Sequence, residues 1–208
     1  MVTPKKKKTR NSVATKKEIL QAAIEVFVKR GFTRASLEEI AVEAGVTRGA
    51  VYWHFENKHD IFEALQDELY CPLTTSILQD MEKKCDDSLA QLEKLCVKLL
   101  TDLDEDETRK KILQIFFCKC DYSCGMDDIL AKQRAQKLKN IKIFSQYFEL
   151  AKKKKLLAKD VDPHITAISL ACYMTGLVVE YLRNPQLFKL KQQAKLLMKQ
   201  FFVALRVK

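Results

Sequence analysis

Apolar residues recur at helical spacing along almost the whole chain. The first stripe falls at i, i+3, i+4, i+7 and i+8, which are Ile19, Ala22, Ala23, Val26 and Phe27. Gly31 then predicts the end of this helix, because glycine readily adopts the left-handed conformation that closes helices. A capping-box sequence from Ser36 to Glu39 predicts the start of a second, short helix, which ends at Gly45.

A third and a fourth helix follow closely. Thr47 is placed to cap a helix that carries Arg48 to Phe55, and Asn57 to cap a helix that begins at Lys58. Two short helices joined across a glycine turn, with a longer helix before them, have the spacing of a helix-turn-helix. We expect Pro72 to kink or end the fourth helix.

The remaining pattern is also helical, with further helices predicted at about 88–102, 108–122, 127–155, 163–182 and 186–206. Asp162-Pro163 and Asn184-Pro185 each place a capping residue before a proline at the first helical position. Residues 102–107 include five acids, and we expect them to form a solvated loop. Only 5 Gly and 4 Pro in 208 residues leave few sites for tight turns, so the predicted fold is all-α with about nine helices.

The charge balance favours a polyanionic partner. The formal net charge is +10, and the first 60 residues carry half of it in less than a third of the length. No apolar segment follows the basic run at residues 5–8, so we expect no secretion signal. The longest uncharged apolar stretch, residues 165–179, is shorter than the roughly 20 residues of a membrane span and is interpreted as a buried helix. Seven Cys are interpreted as reduced thiols of a cytoplasmic protein, with no membrane partner.

The predicted third helix carries the most specific chemistry. Val51 and Phe55 lie four residues apart and can both face a core. So short a helix cannot also bury all three polar-tipped rings that lie between them, which are Tyr52, Trp53 and His54. One interpretation packs these rings against the fourth helix, and for Trp53 that alternative stays open.

The other interpretation is a helix inserted into a DNA major groove. Arg48 can reach a guanine edge, Gly49 permits close approach, and Tyr52 and His54 can meet phosphate oxygens. The basic segment from Lys5 to Arg10 can add phosphate neutralisation, and its alternative is a solubilising tail.

These residues make the first quarter of the chain similar to the TetR/AcrR family of transcriptional regulators. The resemblance rests on Ile19, Phe27, Gly31, Thr33, Leu37, Ile40, Ala41, Gly45, Val46, Gly49, Tyr52, His54, Phe55 and Lys58. Residues 46–55 are especially similar to the AcrR and TtgR branch of multidrug-efflux repressors. Weaker similarity continues at residues 117–122 and 176–182.

Residues 1–14 are basic and polar without a period, so we expect a flexible basic arm there. The resemblance implies a helix-turn-helix domain at 15–57 and a larger ligand-binding and dimerisation domain at 58–208. The candidate DNA-binding residues that follow are Ser36, Thr47, Arg48, Gly49, Tyr52, Trp53, His54 and Lys58. Ser36 and Lys58 would contact flanking phosphates. The candidate effector site comprises Gln66, Tyr70, Gln114, Phe117, Cys118, Asp121 and Tyr147. The candidate dimer interface comprises Ala171, Gly176, Leu197 and Phe201.

Metal and catalytic sites are not predicted. Cys118, Cys120 and Cys124 lack a nearby fourth ligand and are interpreted as ordinary core or pocket residues. The three His are scattered, and the sequence contains no phosphate-binding glycine loop or Gly-x-Ser-x-Gly elbow. We therefore expect neither an enzyme nor a cofactor.

The expected function is a cytoplasmic, homodimeric repressor of a multidrug efflux operon. It would bind a palindromic double-stranded operator and leave it when a small hydrophobic or aromatic effector binds. One alternative is a DNA-binding factor of the same fold without an inducer, with a nucleoid or division role. A second alternative is a helical enzyme that acts on an acidic substrate, which would need titratable groups converging in one cavity.

Overall fold

The structure is a computed structural model that describes residues 5–82, 85–122 and 126–207. Within these ranges the chain is helical, and its extended pairing is one isolated bridge between Leu157 and Arg206. The helices are α1 (Lys5–Arg30), α2 (Leu37–Glu43), α3 (Arg48–His54), α4 (Lys58–Glu82), α5 (Ser88–Glu105), α6 (Glu107–Gln114), α7 (Asp127–Lys153), α8 (Pro163–Arg183) and α9 (Leu190–Val203). A π-helical segment, Ile115–Lys119, continues α6. The prediction of an all-α fold with about nine helices is confirmed.

Four predicted helix starts have the capping hydrogen bonds that their sequences indicate. Ser36 and Glu39 form a complete capping box, and Thr47 Oγ1 accepts from the Ala50 amide at 3.2 Å. The Asp60 amide donates to Asn57 Oδ1 at 3.1 Å, and the Ile165 amide donates to the Asp162 carboxylate at 2.8 Å. These bonds satisfy backbone donors that the first turn of a helix leaves without an intrahelical partner.

Several boundary predictions are wrong. Residues 5–14, predicted as part of a flexible arm, are helical in α1, and Met1–Pro4 lie outside the described residues. Of the two alternatives for Pro72, an end of α4 is wrong, because the helix continues to Glu82, and a kink stays a prediction. The acidic stretch 102–107 is not a loop, because α5 continues to Glu105 and buries Leu103. Asn184-Pro185 does not start α9, because residues 184–187 form a turn in which the Leu187 amide donates to the Asn184 carbonyl at 2.9 Å.

The chain divides into two compact units, and the first comprises Met1–Leu69 and Lys111–Cys124. Its core contains a chain of aromatic rings, with centroid distances of 5.4 Å from Phe27 to Phe32, 4.9 Å from Phe32 to Phe62 and 4.7 Å from Phe62 to Phe116. Since Phe116 belongs to the π-helical segment, this segment is part of the core that supports α1, α2 and α3. The predicted domain boundary at residue 57 therefore differs from the division in the structure.

The turn after α1 is joined directly to the π-helical segment. The Phe32 amide donates to the Lys119 carbonyl at 3.2 Å. Gly31 adopts a φ of +76°, and a Cβ atom there would lie 3.3 Å from the same carbonyl oxygen. Glycine is therefore required at residue 31 both for its conformation and for the close approach of the two segments.

The second unit comprises Tyr70–Lys110 and Gly125–Lys208. Here α7 packs along α8, and α5 packs against both α7 and α9. Its largest fully buried side chains include Leu89, Leu92, Leu100, Phe148 and Phe202. Arg206 near the end of the chain donates to Asp87 at 2.8 Å, which fixes the carboxy-terminal segment beside the start of α5.

Few residues of α8 are fully buried by the rest of the chain. Among the described helices, α8 is long and apolar enough by composition to cross a membrane. Only 22% of its most apolar segment of 18 residues is buried. Its buried residues are Thr166, Ala167, Leu170 and Ala171, all near its start. The interpretation of residues 165–179 as a buried helix is therefore wrong for most of the helix. Its exposed positions, which include Ile165 and Gly176, are available to a partner.

Candidate DNA-binding surface and effector site

The outward face of α3 displays aromatic rings to solvent. Trp53 is 80% exposed and Tyr52 is 44% exposed, whereas Val51 is fully buried and Phe55 nearly so. The alternative in which Trp53 packs against α4 therefore fails, because that ring has little contact with the protein. His54 is half-buried, and its ring centroid lies 6.4 Å from that of Phe55. A Cβ atom added at Gly49 would meet only Thr47 Oγ1, at 4.0 Å, so this turn of α3 is open on its outer side.

Arg48 begins α3 and is bonded to two neighbours. Its Nη2 atom lies 2.9 Å from Glu38 Oε1 and donates to the Tyr52 hydroxyl at 3.2 Å. The bond to Tyr52, followed by the negative charge of Glu38, raises the pKa of Arg48 above its ordinary value. Glu38 lies on α2 and was not predicted as a functional residue. Glu38 lies ten residues before Arg48 on a different helix, so the sequence contains no helical repeat that would reveal this ion pair.

Lys58 has a different role from the predicted phosphate contact. Its Nζ atom donates to the carbonyl oxygens of Phe32 at 2.9 Å, Thr33 at 2.8 Å and Ala35 at 3.2 Å. An ammonium group has three N–H bonds, so all of them are used within the protein. Burial lowers the pKa of Lys58. Lys58 therefore joins the loop before α2 to the start of α4, and its predicted contact with phosphate stays a prediction.

The two hydroxyl residues of the candidate surface are also engaged locally. Ser36 Oγ accepts from the Glu39 amide at 3.2 Å and lies 3.3 Å from Glu39 Oε2, so its hydroxyl completes the capping box. Thr47 is exposed and caps α3 through its hydroxyl oxygen. Ser36 therefore caps α2, and Thr47 caps the recognition helix α3. For Ser36, a phosphate contact remains a prediction.

The seven predicted effector-site residues are divided between the two units. The first unit contains Gln66, Gln114, Phe117, Cys118 and Asp121, and the second contains Tyr70 and Tyr147. Gln66 is completely buried, and neither its Nε2 nor its Oε1 atom has a hydrogen-bond partner. Phe117 and Asp121 are exposed, whereas Gln114 and Cys118 are partly buried. Burial raises the pKa of Tyr70.

Tyr147 is committed to contacts within the second unit. Its hydroxyl donates to Asp80 at 3.0 Å, and burial followed by the charge of Asp80 raises the pKa of the phenol. The same residue lines a pocket of about 570 Å³ together with Gln91, Gln146 and Lys154. None of the other six predicted residues is among the described residues that line this pocket, and the place of Tyr147 in the effector site stays a prediction.

The cysteines give no metal-binding arrangement in the described part of the chain. Cys118 and Cys120 are partly buried free thiols, and burial raises the pKa of Cys120 to about 11. Cys120 follows the last π-helical residue, so the helix predicted at about 108–122 ends before Cys120. Cys124 lies outside the described residues.

The candidate dimer residues differ in their surroundings. Ala171 is buried within its own unit and offers little surface to a partner, and its place in the dimer interface stays a prediction. Gly176 is exposed, and a Cβ atom there would meet nothing within 4 Å. Phe201 stacks on Tyr173 at 5.5 Å, and the Tyr173 hydroxyl donates to the Leu197 carbonyl at 3.3 Å. Leu197 and Phe201 are only partly covered, as expected at the edge of an interface.

Comparisons with known proteins agree with this architecture. Residues 19–65 match the family model described as bacterial regulatory proteins, tetR family, and residues 87–207 match the carboxy-terminal region of MAATS-type transcriptional repressors. The chain is 32% identical over 181 residues to the HTH-type transcriptional regulator AcrR of Shigella flexneri, covering 87% of this chain and 84% of that protein.

Solved structures show the same relationship. NalD, the secondary repressor of the MexAB-OprM multidrug efflux pump in Pseudomonas aeruginosa, superposes with a TM-score of 0.85 at 31% identity over 95% of this chain and 98% of that chain. SmeT in complex with triclosan superposes with a TM-score of 0.83 at 27% identity over 94% and 93% of the two chains. The described relatives are transcriptional regulators and not enzymes.

Proposed function

The chain belongs to the tetR family of bacterial transcriptional repressors, and from that premise we propose that it is a cytoplasmic homodimer controlling a multidrug efflux operon. It binds a palindromic operator through α3 and leaves the operator when a small hydrophobic molecule binds. The efflux assignment is supported by the similarity to NalD, whose described role is repression of such a pump.

The observation that carries the DNA-binding proposal is the exposed face of α3. The Trp53 side chain is 80% exposed, so packing among the described residues does not account for a tryptophan at this position. Gly49, one turn earlier on α3, leaves room for a close approach. Aromatic and guanidinium groups on the first turns of a recognition helix suit base edges and phosphates of a major groove. Two such helices in a homodimer read half-sites about 34 Å apart, which requires a palindrome.

Release by an effector is supported by the arrangement of α4 in the first unit. Gln66, the buried residue with an unpaired amide, lies about two turns after Lys58. Lys58 in turn holds the loop at residues 32–35 that leads into α2. A ligand that shifts this part of α4 therefore displaces the segment that positions α2 and α3. A ligand that binds the displaced state more favourably by only a few kcal/mol lowers operator occupancy a hundredfold or more.

Footprinting on the DNA upstream of the protein's own gene tests the proposal. We expect a protected palindrome, tighter binding to it than to a scrambled duplex in fluorescence anisotropy, and release by planar drugs, phenolics or bile-salt-like amphiphiles. Equal affinity for both duplexes contradicts the repressor. Specific binding that none of these compounds changes, with no thermal shift on ligand addition, favours the alternative of a factor without an inducer.

A further inference from the structure

Gln66 is a fully buried polar residue in the core of the first unit. Its side chain is 0% exposed, and both its Nε2 donor and its Oε1 acceptor lack a hydrogen-bond partner. Among the described side chains, it alone buries an unpaired donor together with an unpaired acceptor. Burial of an unpaired amide is unfavourable, so an apolar residue of similar size would stabilise this core more than glutamine does.

The helical neighbours of Gln66 on its face of α4 are apolar. Gln66 lies one turn after Phe62 and one turn before Leu69, all on the same face of α4. The Phe62 ring lies 4.7 Å from Phe116, which fixes this face of α4 against the π-helical segment. Single π-helical turns are rare and occur frequently at functional sites. An amide on such a face offers two directional bonds in an otherwise apolar setting, which is the usual composition of a small-molecule site.

We propose that Gln66 selects effectors that carry an N–H donor and a carbonyl acceptor side by side on an apolar ring system, as cyclic amides do. This inference rests on the proposed effector response and specifies its chemistry. A cyclic amide presents both groups on one edge, so it accepts a bond from Nε2 and donates one to Oε1 at the same time. A compound with an acceptor alone leaves Oε1 unpaired in a buried site, and it binds more weakly by about the strength of one hydrogen bond.

The test compares matched ligands with the full-length protein in isothermal titration calorimetry, without DNA. The probes are 2-quinolinone, 1-isoquinolinone and 2-indolinone, each paired with its N-methyl derivative, and 2-methoxyquinoline as a second donor-free compound. We expect at least one cyclic amide to bind about tenfold more tightly than its donor-free partner. In the Gln66→Leu variant we expect that ratio to fall close to one.

The apparent melting temperature without ligand provides a second measurement. We expect Gln66→Leu to melt at a higher temperature than the parent protein, because the variant removes an unpaired buried amide. Gln192→Leu makes the same substitution at an exposed position of α9 and is expected to leave the affinity ratio unchanged.

Three results overturn the inference in distinguishable ways. Equal affinities within each pair for the parent protein, or a tenfold ratio retained by Gln66→Leu, contradict the selection by Gln66 and leave the effector response standing. A lower melting temperature for Gln66→Leu shows that the amide has stabilising partners, which also contradicts it. If none of the compounds binds and the planar drugs also fail to bind, the effector response itself is wrong, and this inference fails with it.

Discussion

Arg48 and Glu38 form an ion pair across the turn between α2 and α3, with Nη2 2.9 Å from Oε1. Both side chains are exposed, and the same guanidinium also lies over the Tyr52 ring at 5.2 Å. The positive charge of Arg48, at the start of the recognition helix α3, is therefore partly neutralised in the protein without DNA. A phosphate or a guanine edge must compete with Glu38 for this group.

Replacement of Glu38 by Gln is expected to tighten DNA binding. Arg48 is released and a negative charge is removed from the binding face, so affinity for operator and scrambled duplexes rises a few-fold at low salt. The gain shrinks at higher salt because the pair is exposed and screened. Fluorescence anisotropy over a salt series measures both. Glu43→Gln, the same charge change on α2 beside Lys29, is the control. Weaker operator binding by Glu38→Gln would mean that Glu38 orients Arg48 on DNA.

Replacement of Lys58 by Met is expected to act on stability first. Three carbonyl oxygens lose their shared donor, and the free energy of unfolding falls by about 1–2 kcal/mol. Urea denaturation measures this change, with the exposed Lys29→Met as control. If the three carbonyls keep the Lys58 ammonium group when DNA is bound, the slope of log affinity against log salt stays unchanged in this variant. A slope reduced by about one unit shows that a phosphate contact was lost.

The glycines at residues 49 and 31 are expected to respond oppositely to alanine. At Gly49 the new Cβ meets open space, so Gly49→Ala stabilises α3 by up to about 1 kcal/mol but weakens operator binding by blocking close approach. At Gly31 the positive φ and the Lys119 carbonyl make alanine unfavourable by about 1–2 kcal/mol. Thermal unfolding and anisotropy separate the two effects. Unchanged operator affinity of Gly49→Ala contradicts insertion of this turn into the groove.

Asp87 is expected to make the second unit sensitive to acid. Burial raises the pKa of Asp87, but the bonds from the Ala90 amide and from Arg206 outweigh it, so the net pKa is lowered. A lowered pKa in the folded state adds stability above the unfolded value near pH 4, and the contribution is lost as the pH falls through the folded value. Asp87→Asn, which keeps a capping oxygen, should reduce the free energy of unfolding at pH 7 by about 0.5–1 kcal/mol. The difference should disappear in strong acid, and a constant difference at all pH values contradicts the charge pairing.

The exposed faces of α8 and α9 are expected to join two copies of the chain. The double variant Leu197→Glu with Phe201→Glu places charges at partly covered positions and should yield monomers at micromolar concentration in analytical ultracentrifugation. Leu138→Glu on α7, an exposed leucine outside the candidate interface, should leave the dimer intact. A parent protein that is already monomeric refutes the interface.

Local chemistry explains which predictions from the sequence are confirmed. The caps at Ser36, Thr47 and Asp162 depend on side chains that bond to amides within three residues, so short patterns reveal them. The failure at Asn184-Pro185 has the same origin, because a cap followed by proline also suits a turn. The prediction of a loop at residues 102–107 is wrong because the burial of Leu103 stabilises helical structure despite the acidic residues around it.

The sequence by itself determined the helical fold, the helix-turn-helix and the family, because these depend on residue spacing within single helices and short turns. Only the tertiary structure decided what Lys58, Glu38 and Gln66 do. The three carbonyls that bind Lys58 lie 23 to 26 residues before it, and the partner of Glu38 lies on the next helix. The isolation of the Gln66 amide depends on everything packed around it. Hydrogen-bond and ion-pair partners brought together by packing have no fixed spacing along a chain, so no periodicity in the sequence encodes them.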